Sequence, residues 1–488
     1  MIGVTAGPSA AATADCGGTA DAADVGIDVN GDGCVDAVVG MPDRTVGGKR
    51  GAGAIEIDLG SPTRHLRARS ILVTAEHPHT GDRFGAAFGF TSGTPTGIVI
   101  GAPGRNVASV RDSGAIVVLP GSPTWPAVVR IPNRSFNVIT SRPHRDARVG
   151  TAVEVADTPT RNADGSFSFP TTIYAGAPGW NVDGQRGAGA VVAARLDLLT
   201  QGGSGSRRII SENAPGVPGR SRAGDRFGSA IAFSLYFAGG EDGSFIAIGA
   251  PGKSVDRKAA AGAVVITVTP TSHVTASFIS QDSPGDPNAP ELGDHFGAVL
   301  KTEDVALYIG VPDEDVGDRA DAGIVEDYDP SGGYRFTLQQ GKRHFPGRPE
   351  AGDHFGAALS FLASSRTTDL CAPSLIVGVP GQDVAGLPDA GEVDCGGRAP
   401  LRMGARLPGS LQAHARVGAA LQTMQSGRWL FQDPNECDCP PAQPYFLTLV
   451  GAPGVRGGDG AVFAGARRHA PIWRRSDDPS NSHYGMRL

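Results

Sequence analysis

Seven times along this chain of 488 residues a short apolar run ends in Gly-Ala-Pro or a close variant. The glycines that open these signatures are Gly40, Gly101, Gly176, Gly249, Gly310, Gly378 and Gly451, spaced by 61, 75, 73, 61, 68 and 73 residues. Six of them are preceded by an aromatic-Gly or Val-Gly pair: Phe84-Gly85, Val149-Gly150, Phe227-Gly228, Phe296-Gly297, Phe355-Gly356 and Val417-Gly418. Recurrence of this kind means an array of like units, each burying its faces against its neighbours.

One unit shows what is repeated. After Gly81-Asp82-Arg83-Phe84-Gly85 comes the short run AAFGF, then Ile98-Val99-Ile100 leading into Gly101-Ala102-Pro103-Gly104. A polar loop follows, then Gly114-Ala115-Ile116-Val117-Val118-Leu119, and Val128-Val129-Arg130-Ile131 completes the unit as a fourth strand. Short β-branched runs bounded by Gly, Pro and Asp are the pattern of antiparallel strands, and no stretch has a helical period of useful length. Four strands per unit and seven units predict an all-β fold, a seven-bladed β-propeller of four-stranded antiparallel blades. Crowding where the blades converge accounts for the recurrent glycines.

The Phe-Gly and Gly-Ala-Pro alternation resembles the FG-GAP repeats of the integrin α-subunit propeller and of related bacterial secreted proteins. The resemblance spans roughly Asp24 to Gly465. It implies a seven-bladed ring, with Phe-Gly on the innermost strand of each blade and Gly-Ala-Pro ending the second. The first unit departs from the pattern, with Val25-Gly26 and Gly40-Met41-Pro42, and the fifth and sixth read Gly-Val-Pro. The organisation expected is a flexible N-terminal segment over 1–20, the propeller over 21–470, and a tail or closing strand over 471–488, where Ile472-Trp473 could supply the last strand.

The sharpest local signal is Asp28-Val29-Asn30-Gly31-Asp32-Gly33-Cys34-Val35-Asp36. Alternate oxygen-bearing side chains, a Gly at the turn and a later carboxylate can converge on one hard cation, as calcium requires. Position twelve, where an EF-hand has its bidentate Glu, is Val39, so the loop is of another kind. Its placement matches the calcium loops of FG-GAP propellers. That resemblance implies side-chain ligation by Asp28, Asn30, Asp32 and Asp36, a backbone carbonyl from Cys34, and a structural Ca2+ that pins the hairpin. The alternative is a solvated Asx-rich turn. Fainter copies at Thr160–Gly165 and Glu241–Gly243 lack the closing carboxylate, which counts against binding there. A second acidic loop carries Asp313, Asp315, Asp318 and Asp321, read either as a solvated connection or as a cation-dependent contact surface.

Composition narrows the functional classes. The net charge of −7 and the lack of a basic, aromatic-studded segment argue against nucleic acid. No run of eighteen apolar residues occurs, so no membrane span is expected. The even count of six cysteines fits disulfides in an exported protein, with Cys16–Cys34 and Cys371–Cys395 as the local pairings. Cys437 and Cys439 have no Cys/His partners nearby for zinc. Ala12-Thr13-Ala14 has the small-x-small form of a cleavage site, so residues 1–14 read either as the end of a signal peptide or as an Ala-rich terminus. The expected location is extracellular or at the cell surface.

Catalytic motifs are not evident. Gly249-Ala250-Pro251-Gly252-Lys253-Ser254 resembles a phosphate loop, but Ala247 stands where its first Gly belongs and the segment is one of the repeats. His295 and His354 occupy the position held elsewhere by Arg83 and Arg226, as loop side chains would. Two functions are therefore carried forward. One is a monomeric binding or adhesion propeller that presents a loop face to a protein or glycan; the other is a secreted hydrolase of esterase or phospholipase type, with a site assembled from several blades.

Overall fold

The computed structural model describes residues 27–60, 69–93, 95–137, 143–157, 160–161, 167–168, 170–196, 207–238, 241–270, 275–303, 305–342, 345–362, 374–426, 445–455, 460–465 and 472–473. They form seven blade sheets, six of four strands and one of three, and a small two-stranded ribbon of Thr160–Arg161 with Phe167–Ser168; the described residues include one short 3-10 turn, Asn133–Ser135. The chain is a seven-bladed β-propeller. The second blade gives the plan: Phe88–Phe90, Ile98–Ala102, Ala115–Leu119 and Phe136–Asn137 lie side by side in that order, each antiparallel to the next. Among the described residues no helix is long and apolar enough to cross a membrane.

The strands read as continuous apolar runs because every blade is sandwiched between two others. Ala37–Met41 and Ile98–Ala102 are buried at every position, on both faces. The core is correspondingly divided into interblade layers. Ile57 and Val73 of the first blade pack with Ile100 and Val117 of the second, and the pattern repeats around the array up to Ile376 and Val393 of the sixth blade against Val450 and Phe463 of the seventh. Leu449 and Val462 of the seventh blade then pack with Ala37, Val39 and Met41 of the first, which closes the ring.

Three details differ from expectation. Val128–Ile131 does not complete the second blade: it runs parallel to Arg69–Ala75 as an outer strand of the first, and Phe136–Asn137 takes its place. The Phe-Gly pair is not on the innermost strand but just before it. Phe84 bridges in parallel to Gly53, at the start of a strand in the preceding blade, and Phe227, Phe296 and Val417 do the same to Gly189, Gly262 and Gly391. These side chains therefore plug the seam between blades, and Phe84, Phe227, Phe296 and Phe355 are wholly buried. The sixth blade has three strands, extended by a bridge between Val393 and Leu401.

Gly-Ala-Pro does end the second strand, as at Ile98–Ala102 and Thr171–Ala177. Ile472–Trp473 adds an outer strand to the seventh blade. Residues 1–26 and 474–488 lie outside the described residues, as do Cys16, Cys371, Cys437 and Cys439. Cys34 and Cys395 are buried and neither is a free thiol, but the two pairings read from the sequence involve residues outside that set.

Candidate functional site

The nine-residue acidic loop lies at the start of Ala37–Met41, at the opposite end of that strand from Gly-Met-Pro. Asp28 is buried, and its two carboxylate oxygens accept hydrogen bonds from the amides of Gly31, Asp32 and Gly33. Asn30 Oδ1 accepts from the Asp32 amide, and Asp32 Oδ1 accepts from the Cys34 amide. Asp36, wholly buried, accepts from Val29 at 2.8 Å and from Gly60 at 2.9 Å, tying the loop to the end of the next strand. The loop also docks on the second blade, where the Thr96 amide donates to the Asp28 carbonyl and the Ser122 amide to that of Val29.

Burial raises the Asp28 carboxyl above its ordinary range and pushes Asp36 up to about 8, with neighbouring carboxylates adding to both. The donor set is all hard oxygen, as calcium prefers; Asp28 Oδ1 already accepts from two amides, whereas Asp28 Oδ2, Asn30 Oδ1, Asp32 Oδ1 and both Asp36 oxygens accept one hydrogen bond each and keep a further lone pair. Among the described residues, however, no group of three or more Asp, Glu, His or Cys side chains is drawn together as a metal sphere. The structure gathers the predicted ligands into one loop, with their oxygens turned to backbone amides except for Asp32 Oδ2, which accepts from the Asn30 side chain. Of the fainter copies, Glu241-Asp242-Gly243 belongs to the strand Glu241–Ala250 and is no loop, while residues 162–165 lie outside the described set.

At the other end of the second strands, the connections to the third form a set of like hairpins. Val46 bridges Lys49, and the same bridge recurs as Val107–Val110, Val182–Gln185, Val255–Lys258, Val316–Arg319 and Val384–Leu387. In most of them both central residues have positive φ, as in Gly47-Gly48, Ala108-Ser109, Asp183-Gly184, Asp256-Arg257 and Ala385-Gly386, the mark of a type I′ turn. A side-chain oxygen braces the base of four of them: Asn106 accepts from the Asp112 amide, Asn181 from Gly187, Asp315 from Asp321 and Asp383 from Asp389. The backbone is thus nearly constant while the side chains it carries change from blade to blade.

Beneath these hairpins lies a buried polar node that sequence reading missed. The Asp of the Gly-Asp-x-Phe-Gly element meets the residue just after the Gly-Ala-Pro region of its own blade. Asp82 pairs with buried Arg105 in the second blade. Asp225 pairs with Lys253 at 2.9 Å in the fourth, where Glu212 also binds the ammonium at 2.7 Å. Lys253 is therefore held inside a salt-bridged node, which disposes of the phosphate-loop likeness. In the fifth blade the equivalent residue is Glu314 rather than a cation, and it accepts from Gln281 Nε2 at 2.5 Å; burial and nearby acids push Glu314 up to about 8 and Asp294 up to about 6. The signal was present in the repeat alignment, as an Asp whose partner changes type, but only the fold shows the two positions in contact.

His295 and His354, read from the sequence as loop side chains at the same position of two repeats, share one carboxylate. His295 Nδ1 lies 2.7 Å from Asp313 Oδ2 and His354 Nδ1 lies 3.1 Å from Asp313 Oδ1. Their hydrogen bonds overcome the effect of burial and hold Asp313 well below the usual carboxylate range, and Asp313 in turn raises His354. The four aspartates of this loop accordingly do different things: Asp313 pairs with histidines, Asp315 braces the turn by accepting from the Asp321 amide, Asp318 is largely exposed, and Asp321 itself takes a positive φ.

No family model matches the chain, and no curated protein does so. Among solved structures it is similar to BBS1N in complex with ARL6DN (12 % identity, TM-score 0.37, covering 93 % of this chain and 99 % of that one). It is also similar to the fucose-specific lectin from Aleuria aurantia (11 % identity, TM-score 0.36, covering 80 % and 94 %).

Proposed function

We propose that this chain is an exported propeller of the FG-GAP kind, braced by Ca2+ at Asp28, Asn30, Asp32, Cys34 and Asp36, that works as a binding or adhesion module. The partner, a protein or a glycan, is held on the face built by the connections between second and third strands. The observation that carries this reading is the set of six hairpins whose closing residues (Lys49, Val110, Gln185, Lys258, Arg319, Leu387) vary while the Val-initiated bridge that shapes them does not. A scaffold repeated with changing side chains is suited to display. In this reading the protein is a monomer, and Cys34 and Cys395 pair with Cys16 and Cys371 inside their own units.

The competing reading is a loop-assembled hydrolase, and the His295, Asp313 and His354 cluster is the place to seek it. Purified protein screened against glycan and protein arrays, and in parallel against esters and phosphodiesters, separates the two. Saturable binding without turnover supports the module; turnover abolished by His354→Ala would reverse the choice.

A further inference from the structure

On the same face, the second, third and fourth blades surround a concave cavity of about 850 Å³. Arg111, Arg145, Arg148, Arg186 and Arg226 line it, and Asp146 is its one acid. That is a local excess of four positive charges in a chain whose net charge is −7. Asp146 is already engaged: its Oδ1 accepts from Arg111 at 2.7 Å, and Arg145 stands 3.6 Å from Oδ2. Arg148, Arg186 and Arg226 have no side-chain partner among the described residues.

The repeat shows why two of them are unmatched. Arg148 and Arg226 stand at the x position of Gly-Asp-x-Phe-Gly or its variant, which faces the residue after Pro in the preceding blade. In the first blade that residue is Asp43, 3.3 Å from Arg83, and in the fifth it is Asp313, bound to His354. In the second and third blades it is Gly104 and Gly179. Backbone approach forbids a side chain at either, since a Cβ would lie 1.8 Å from Gly81 O or 1.9 Å from Asp146 O. The side chain that an aspartate meets at this position elsewhere, Arg83 or His354, is here an arginine left free, and the volume in front of the two arginines is open.

We propose that this cavity is an anion site for a short acidic oligosaccharide, one bearing sulfate or carboxylate groups. Guanidinium groups bind such oxyanions through paired, charge-assisted hydrogen bonds. A concave volume of this size suits a compact ligand rather than the flat patch of a protein interface. The lining includes only Pro178 as an apolar side chain, so recognition would rest on charge and hydrogen bonds rather than on stacking against a sugar ring. The proposal takes the binding-module reading as given and names its ligand class and place.

The test is calorimetric titration of the whole chain with a sulfated tetrasaccharide, a uronate tetrasaccharide, a neutral tetrasaccharide of equal length and inorganic sulfate. Binding of an acidic tetrasaccharide is expected, weakening as salt rises, with the neutral one silent and free sulfate far weaker. R148Q/R226Q should bind at least about tenfold more weakly at an unchanged melting temperature, and Asp146→Asn, which removes the lone carboxylate, should bind more tightly. Undiminished binding by R148Q/R226Q, or affinity unaffected by Asp146→Asn, would overturn this site while leaving the binding module intact. Binding of none of the acidic ligands would overturn it too; if arrays then yield another partner the module stands, and if only ester turnover is found both readings fall. Equal affinity for inorganic sulfate would reduce the cavity to a simple anion trap and also reject the proposal.

Discussion

A methyl group at Gly176 would sit 2.0 Å from the carbonyl oxygen of Gly228 in the next blade, and the same contact recurs between Gly249 and Gly297 and between Gly378 and Gly418. The two glycines of the repeat are thus opposite sides of one backbone contact, which is why they keep phase along the chain. Gly176→Ala should destabilise by roughly 3 kcal/mol or more, measured by chemical denaturation; a loss under 1 kcal/mol would contradict the packing. Glu314 concerns charge rather than space. It titrates near 4.5 unfolded and at about 8 in the fold, so its stabilising contribution is complete in acid and disappears as pH rises through about 8. Glu314→Gln mimics the protonated form and should melt with the native chain at pH 4.5 but be more stable by on the order of 2 kcal/mol at pH 8.5; identical melting at both would refute the node. The His354 shift is upward, so its contribution is present below its ordinary value of 6.5 and lost as pH rises through the folded value. Asp313→Asn should remove the upward shift, followed by NMR of the ring protons, and an unmoved titration would contradict the shared carboxylate. The recurring residues were legible in the sequence, whereas their contacts across blades were not, because each partner lies in a neighbouring segment.

Strands were readable from their β-branched runs, but their assignment to blades was less so. Val128–Ile131 has ordinary strand composition and follows the third strand of the second blade in sequence, yet it pairs in parallel with the first blade. Nothing local distinguishes an outer strand that joins its own sheet from one that crosses to the next. The type I′ hairpins were hidden for a different reason. Asp183-Gly184 carries the usual signal, but Ala108-Ser109 and Asp256-Arg257 adopt positive φ without a glycine because the flanking bridge imposes it. The acidic loop was fully legible as a donor pattern, and its docking on Thr96 and Ser122 suggests what a cation would brace. Calcium should raise the melting temperature and protect this hairpin from proteolysis, with Asp32→Ala removing most of the gain. Equal melting in calcium and in chelator would reject the metal.

At the scale of the molecule the ring is held by layers between blades, so the first and last blades matter as much as any adjacent pair. Leu449, buried against Val39 and Met41, is part of that closing layer. Leu449→Ala should remove about 2–5 kcal/mol and still give one cooperative transition; a separate early transition of the terminal blades would mean that the layer is not continuous with the rest. Seven units were countable from the sequence. Closure was not, because the residues that seal the ring belong to an unusual first unit and to a last blade without a further repeat to compare. The charge pattern on the hairpin face, basic across the second to fourth blades and acidic in the fifth, likewise emerges only when the units are set around an axis.

The claim on which the function rests is that this face, and not the opposite one with its acidic loop, receives the partner. Hydrogen exchange followed by mass spectrometry, with and without a ligand found in the array screen, measures it directly. Protection is expected in the hairpins spanning 103–114, 178–189 and 251–262 and in the segments 143–150 and 222–229. Protection confined to residues 28–36 and the other strand ends of that face would contradict the account.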